Sequence, residues 1–432
     1  MTELKQALRL PHATAMVVGT IIGASIFVQP SEITGHVPSE GGIFAAWIIA
    51  GVLTLAGALV CAELSSAYPR TGGVYVFLRE AWGPAVGFLW GWAMFWSMHS
   101  GIIAAIATVF ARYAAAFLPL GDVGVRIVAV GAILVLSAVN YAGVEHGSRL
   151  QTAFTIGKVF VIAAIVAVGF LLPVRHPVAS VAAVPAAFGI RDLALAVAAG
   201  LFAFGGWHMV TYTAGETANA RRTIPIALGL GTLVVTCCYI ALNAVYLHVL
   251  PVQTVSSSTR VAADAADALV GSGGAAIMSA LVMFSSFGGL AGIVLVGPRV
   301  YYSMARDGLL FRWAGAIHPR FRTPHRAIVL QAIWSSALVL TGTYRTLFTR
   351  VVYTEWIFFA LMAAGLVVLR RRPEYAPAYR AWGYPILPAA FVLSSALIVV
   401  NQIASQPSES AFGLLLVGIG WPVYRVWTAV KK

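Results

Sequence analysis

The sequence predicts an all-α polytopic membrane protein of about twelve transmembrane helices. Of 432 residues, 60% are hydrophobic and 10% are charged, with a mean hydropathy of +0.86. A water-soluble chain of this length could not cover its surface with so few charges. Apolar runs near the ~20 residues that cross ~30 Å of hydrocarbon recur from end to end, and no stretch remains for a soluble domain. The formal net charge of +13 would suggest nucleic acid in a soluble chain, but here the position of the charges matters more than their sum. Twenty of the 28 Lys and Arg residues fall in or beside alternate loops on one side and seven on the other, while Lys158 alone sits deep within a span. This bias is the positive-inside pattern, with both termini cytoplasmic.

The first span covers about Ala13–Gly35 and carries an anomaly: Val18-Gly19-Thr20-Ile21-Ile22-Gly23-Ala24-Ser25-Ile26-Phe27 weakens a helix with glycines and a serine at membrane depth. Lys5 and Arg9 precede it without a small-residue cleavage site after it, so a signal-anchor helix is expected. The second span runs over Gly42–Ser65 and the third over Ala85–Leu118. Between them, Tyr68–Glu80 is too short and too charged to span and is expected to be an amphipathic cytoplasmic segment. The fourth span is Val125–Ala142, the fifth Leu150–Leu172 and the sixth Asp192–Gly215, where Gly205-Gly206 interrupts a second apolar run. The seventh covers Ile224–Leu250 and the eighth Ala275–Met304, joined by a polar, small-residue-rich loop expected outside. The ninth, Ala327–Thr343, the tenth, Val352–Leu369, the eleventh, Tyr384–Ile403, and the twelfth, Ala411–Val430, complete the count.

The two glycine interruptions are five helices apart, so their helices cross in opposite directions. Interrupted spans at matching positions in two halves point to an inverted-repeat transporter with a midplane site, although small-residue packing would explain either one alone. Loosened backbone is tolerated in hydrocarbon only where protein or a water-filled cavity surrounds it. A broken helix offers unpaired N–H groups with a partial positive charge and unpaired C=O groups with a partial negative one. These suit the carboxylate and ammonium of an amino acid. The amides of Gly23, Ala24 and Ser25 are expected to take the carboxylate, and the carbonyls of Ile21, Phe202 and Ala203 the amine, with Gly205 in the second break. Phe204 and Trp207 would close on the side chain as apolar walls.

Lys158 stands about eight residues into the fifth span, ~12 Å deep, too far for easy snorkelling. An intramembrane cation is a functional-site hypothesis by default. It could tie the first span to the eighth where a sodium-driven relative would hold its ion, carry a coupled proton, or be a structural ammonium on backbone carbonyls. Tyr239 could line the pocket, and packing explains it equally well. His99 and His208 are expected in hydrogen-bonded packing roles, and Glu355 as a solvated carboxylate at the outer mouth. No acid flanks either break, which favours neutral substrates. Cys61, Cys237 and Cys238 lie in apolar runs without metal-ligand spacing, so neither a disulfide framework, a metal site nor a cofactor is expected.

These residues resemble a known group. Gly19 to Phe27 is similar to the first-helix signature of the amino acid, polyamine and organocation (APC) superfamily, and Phe202 to Trp207 to its sixth-helix break. Pro69-Arg70-Thr71-Gly72-Gly73-Val74-Tyr75 and Arg299 to Gly308 match further segments. Glu355-Trp356, Leu369-Arg370-Arg371-Arg372-Pro373, Tyr384-Pro385 and a lysine at position 158 narrow the resemblance to the L-type amino-acid transporter branch. The resemblance implies a LeuT-like five-plus-five inverted repeat, with repeats over about 13–172 and 192–369, helices 1 and 6 discontinuous and two extra helices over about 384–430. It also implies alternating access and sodium-independent exchange (antiport) of neutral L-amino acids across the inner membrane, with proton-coupled symport as the alternative. Two departures, Gly23-Ala24-Ser25 in place of a glycine-richer triplet and His208 in place of a smaller amide, favour small or medium substrates. Mammalian members join a heavy chain through a cysteine between helices three and four. This chain has none there, so a bacterial carrier working as a monomer, with lipid and substrate as its partners, is expected. A channel and an intramembrane enzyme are the rivals from other classes. No H-E-x-x-H, G-x-S-x-G or Walker A motif supports an enzyme or a pump.

Overall fold

A computed structural model describes residues 3–23, 25–27, 29–174, 188–271, 273–343 and 350–429. Its regular elements are helices, and nine of those described are long and apolar enough to cross a membrane. The remaining three expected spans are the first, split into Leu10–Ile21 and Gln29–His36, the ninth, His325–Thr341, and the tenth, Thr354–Leu369. All twelve expected spans thus coincide with helix, and the chain is an all-α polytopic membrane protein.

Local chemistry explains where the helices start, stop and loosen. The Ser39 hydroxyl accepts from the Gly42 N–H at 3.1 Å and caps the second span, Glu40–Ala67. The third span, Pro84–Ala114, opens with proline at its first position and holds a π-helical turn over Met94–Met98. The fourth, Asp122–Tyr141, and fifth, Val144–Leu171, are uninterrupted. The sixth changes character midway. Ile190–Ala203 is α-helical, Gly206 takes a φ of 104° open to glycine, and Trp207–Glu216 continues as a ten-residue 3₁₀ helix. Such runs rarely exceed four residues, and a long one within a span marks a hinge or strain. Its sequence is rich in β-branched residues, which lose side-chain freedom in an α-helix. The Thr211 and Thr213 hydroxyls bond the carbonyls three residues back at 2.7 and 2.8 Å, favouring the tighter coil.

The seventh span is Ala220–Val249 and the eighth Gly274–Arg306. The loop between them holds two short helices, Val252–Ser257 and Val261–Val270, which the composition did not announce because alanine and serine are common to loops and helices. Ile386–Ser405 and Pro407–Ala429 form the last two spans. The first span packs on the fifth, seventh and eighth and on the 3₁₀ half of the sixth. The second packs on the seventh and on the α-helical half of the sixth, the third on the eighth and the fourth on the ninth.

Ion pairs gather at the end of the bundle that holds the N-terminal segment. Leu8 lies beside Thr217 in a short parallel bridge, and the Ala7 and Leu8 N–H groups donate to the Glu216 carbonyl at 3.0 and 2.9 Å. Glu216 and Arg299 form a two-point pair at 2.7 and 2.8 Å with no exposure on either side chain. Glu63 and Arg370 form another at 2.8 and 2.5 Å, to which the Ala381 N–H adds a bond at 2.7 Å. The segment after the second span differs from expectation. Val74–Trp82 is a helix, but Val74 to Leu78 are fully buried against the protein instead of lying on the membrane surface. Its charged end provides the reason: Arg79 pairs with Asp307 and Glu80, fastening the helix across the bundle. Burial opposes ionisation of Glu80, but hydrogen bonds and charge from Arg79 and Arg70 outweigh it and hold the carboxyl below the usual carboxylate range.

Candidate functional site

The two interrupted helices meet. The Thr20 hydroxyl, one residue before the first break, donates to the Gly206 carbonyl at 3.2 Å. A Cβ on Gly206 would stand 2.9 Å from the Thr20 carbonyl oxygen, so only glycine allows this approach. On the first span the α-helix ends at Ile21, Ile22 turns extended, and Ser25–Phe27 forms one 3₁₀ turn before Gln29–His36 begins. Gly23 faces open space: a Cβ built there would meet only the Ile21 carbonyl oxygen, at 4.0 Å. Ala24 lies outside the described residues.

Backbone carbonyls freed by the breaks attract side-chain donors, as buried C=O groups must. The Lys158 ammonium donates to the Gly19 and Ile22 carbonyls at 3.1 and 2.7 Å. Its other neighbours lie on the eighth span, where a Cβ at Gly288 would come within 2.9 Å of the lysine Cε and one at Gly289 within 3.7 Å of Nζ. Lys158 therefore links the fifth, first and eighth spans, the bridging geometry considered from sequence. Ser285, on the eighth span, donates to the Gly23 carbonyl at 3.3 Å. Tyr239, fully buried, places its hydroxyl 3.2 Å from the Ile21 carbonyl and 3.0 Å from that of Ala203. One phenol thus spans both breaks, with the Ser25 side chain as a further hydrogen-bond partner.

The expected amine-binding carbonyls consequently have internal partners already. Ile21 and Ala203 share Tyr239, and the Phe202 carbonyl accepts from the Gly205 N–H at 3.1 Å. A carbonyl has two lone pairs, so Ile21 and Ala203 each retain one acceptor position, whereas the Phe202 carbonyl also faces the Phe204 N–H. Phe202 is 38% exposed, and its carbonyl lies at the break. Phe204 and Trp207 are buried but diverge. Phe204 packs on Tyr239 and Trp47 with ring centroids 5.0 and 6.3 Å away, whereas Trp207 packs on Phe359 and Phe391 at 5.3 and 5.9 Å.

Glu355 does not sit at an outer mouth, and the expectation that no acid flanks either break fails with it. Its side chain is 15% exposed and lies 3.5 Å from Nε2 of His208, just after the second break. The tenth helix has sixteen residues, ~24 Å of rise, too little for the full hydrocarbon thickness. Its other end is fixed where Arg370 meets Glu63, so its start falls inside the bundle. His208 is also not held by the hydrogen bonds expected of it: neither ring nitrogen has a partner of good geometry among the described residues. His99 does have a packing role, with Nε2 3.0 Å from the Ile293 carbonyl. The pairs Glu216–Arg299 and Glu63–Arg370 escaped sequence reading, because each joins residues far apart in the chain. Their only sequence signal was an ionisable residue within or at the end of an apolar run.

The whole length of the chain is similar to known carriers. A family model described as amino acid permease matches residues 8–423. The serine/threonine exchanger SteT of Bacillus subtilis is 31% identical over 425 residues, covering 98% of this chain and 96% of its own. The human b(0,+)-type amino acid transporter 1 is 30% identical, covering 100% of this chain and 89% of its own length. The mouse Asc-type amino acid transporter 1 is 29% identical over 98% and 81%. These are transporters and not enzymes, and amino acids are what their names say they move. With the family model spanning nearly every residue, the chain belongs to the amino acid permease family of the APC superfamily.

Proposed function

We propose that this protein exchanges neutral L-amino acids across a bacterial inner membrane by alternating access, without sodium and without a heavy chain. The observation that carries the reading is the meeting of the two broken helices, with Gly23 facing open space and Lys158 bound to the Gly19 and Ile22 carbonyls. In this reading the amides of Gly23, Ala24 and Ser25 hold the carboxylate. The carbonyls of Ile21, Phe202 and Ala203 take the ammonium, and Phe204, Gly205 and Trp207 border the side chain. Tyr239 reports the closure of one break on the other. Lys158 supplies from within the chain the charge that a bound cation would supply, so no sodium site remains between the first and eighth spans.

The packing supports a five-plus-five repeat. The second, third and fourth spans pack on the seventh, eighth and ninth, and the cross contacts are reciprocal: first with seventh as sixth with second, third with ninth as fourth with eighth. A pseudo-two-fold axis produces such pairings. The ion pairs at one end, with the loop arginines, support both termini being cytoplasmic.

Proteoliposomes test the proposal. Uptake of labelled L-serine, L-alanine or L-leucine should require unlabelled amino acid inside and be unchanged when sodium is replaced by choline. Uptake into empty vesicles at the same rate would overturn exchange, and a sodium requirement would overturn the role given to Lys158.

A further inference from the structure

We propose that His208 and Glu355 form a proton-binding site beside the second break, occupied or emptied as the 3₁₀ half of the sixth span moves against the tenth. The proposal deepens the transporter reading and rests on it for the motion.

Two ionisable side chains from different spans face each other in an apolar, aromatic surrounding. His208 Nε2 stands 3.5 Å from Glu355 Oε1, with side-chain exposures of 1% and 15%. The imidazole is enclosed by Trp90, Tyr212, Trp207 and Phe359, with ring centroids 4.8–6.0 Å away. Both its ring nitrogens, the Trp90 indole N–H and the Tyr212 hydroxyl lack a hydrogen-bond partner among the described residues. The nearby titratable groups on the packed elements are Tyr212 on the same segment, Cys61 on the second span, His99 on the third and Tyr301 on the eighth. None of these is ordinarily an anion or a fixed cation at neutral pH, and no Lys or Arg forms an ion pair with Glu355 among the described residues.

The charge balance then decides the occupancy. Without a proton, neutral histidine and carboxylate give the pair a net charge of −1 in a low-dielectric pocket, and an uncompensated buried charge is strongly disfavoured. One added proton, on either the imidazole or the carboxyl oxygen, brings the pair to zero. The packed arrangement therefore holds one proton. Separation changes this. His208 follows Gly206, whose left-handed conformation makes a pivot, and it lies on a 3₁₀ segment predisposed to rearrange. Once water reaches Glu355, its carboxylate is solvated and the proton leaves. The neighbouring buried pairs differ. Glu216–Arg299 and Glu63–Arg370 carry a permanent guanidinium at two bond distances each and need no proton to reach neutrality.

Two measurements on the full chain test the site. In nanodiscs, infrared difference spectra between about pH 5 and about pH 8 should show one titrating band of the pair, protonated carboxyl or imidazolium, that neither Glu355→Gln nor His208→Asn reproduces at the same pH. A wild-type spectrum without such a change, or one identical to that of Glu355→Gln, overturns the site. In proteoliposomes at equal pH on both sides, L-serine counterflow should follow a one-proton limb, up to about tenfold per pH unit. That limb should flatten to less than about twofold in Glu355→Gln and His208→Asn. If Glu355→Gln does not fold, His208→Asn alone carries both tests, and an unchanged pH profile in it refutes the proposal. Absence of uptake of L-serine, L-alanine and L-leucine at every pH would instead overturn the transporter reading, while the infrared titration still judges the proton site.

Discussion

Replacing Gly23 separates the proposed binding role of the first break from its structural role. A side chain there enters open space, with only the Ile21 carbonyl oxygen 4.0 Å from the new Cβ. Gly23→Val should therefore alter the stability of the substrate-free protein by no more than ~0.5 kcal/mol, as at sites without packing constraints. It would, however, displace a carboxylate bound to the neighbouring amides. Losing two charge-assisted hydrogen bonds at ~1.5–3 kcal/mol each costs ~3–6 kcal/mol, or about two to four orders of magnitude in affinity. Gly206→Ala provides the contrast. It forces a side chain into the left-handed region, at ~1–2 kcal/mol, and drives a Cβ to 2.9 Å from the Thr20 carbonyl oxygen, which overpacks at ~1–3 kcal/mol. The assay is thermal unfolding with and without L-serine at about one hundred times its dissociation constant, where the ligand should stabilise the wild type by ~2.7 kcal/mol. Gly23→Val should lose that shift while keeping the wild-type midpoint, and Gly206→Ala should lower the midpoint itself. A Gly23→Val protein that keeps the ligand shift, or falls as far as Gly206→Ala, would refute the assignment.

Three further outcomes follow from the same geometry. Lys158→Met leaves the Gly19 and Ile22 carbonyls without their donor, at ~1–3 kcal/mol each; counterflow should fall at least tenfold, and full activity would count against the bracing role. Glu216→Gln strands the buried Arg299 charge and should destabilise by ~3–5 kcal/mol, whereas Glu216→Leu with Arg299→Met should recover most of that loss; thermal midpoints decide, and a double variant as weak as the single one refutes the pairing. The Glu80 carboxyl is held below its ordinary range, so its contribution is complete above the unfolded carboxylate value of ~4.3 and disappears as pH falls through the folded one. The midpoint difference between wild type and Glu80→Gln should therefore be present at neutral pH and vanish in acid; a difference constant throughout would refute this.

Spans and breaks were legible because hydrocarbon imposes length and apolarity on every crossing, and because glycines at Gly23, Gly205 and Gly206 disturb an otherwise monotonous pattern. Lys158 was legible for the same reason, as an ammonium among apolar residues. What depended on three-dimensional meeting was not. Nothing at position 355 reveals that its helix starts inside the bundle, since a short tenth span and a rim-to-rim one have the same composition. The Tyr68–Glu80 segment misled because Arg79 reaches across the bundle to Asp307 and the apolar residues before it are buried in protein, while Arg70 stays half exposed. The sequence presents the carbonyls of Ile21 and Ala203 as free acceptors, but Tyr239 comes from 36 residues beyond Ala203 to engage both.

The two ionisable features beside the breaks divide the labour of charge. Lys158 is covalently part of the fifth span and is fixed by two carbonyls, so its charge does not cross the membrane with substrate. In the reading proposed above, this tethered ammonium leaves no place for a sodium ion at the first break. A gradient can do work only through a group that gains charge on one side and loses it on the other. Beside the second break, His208–Glu355 is such a group: its members come from two spans, no bond of good geometry joins them, and one proton changes their net charge from −1 to zero. In the reading proposed above, the tethered ammonium at the first break lets exchange run without sodium, and the proton site at the second lets the proton concentration set its rate.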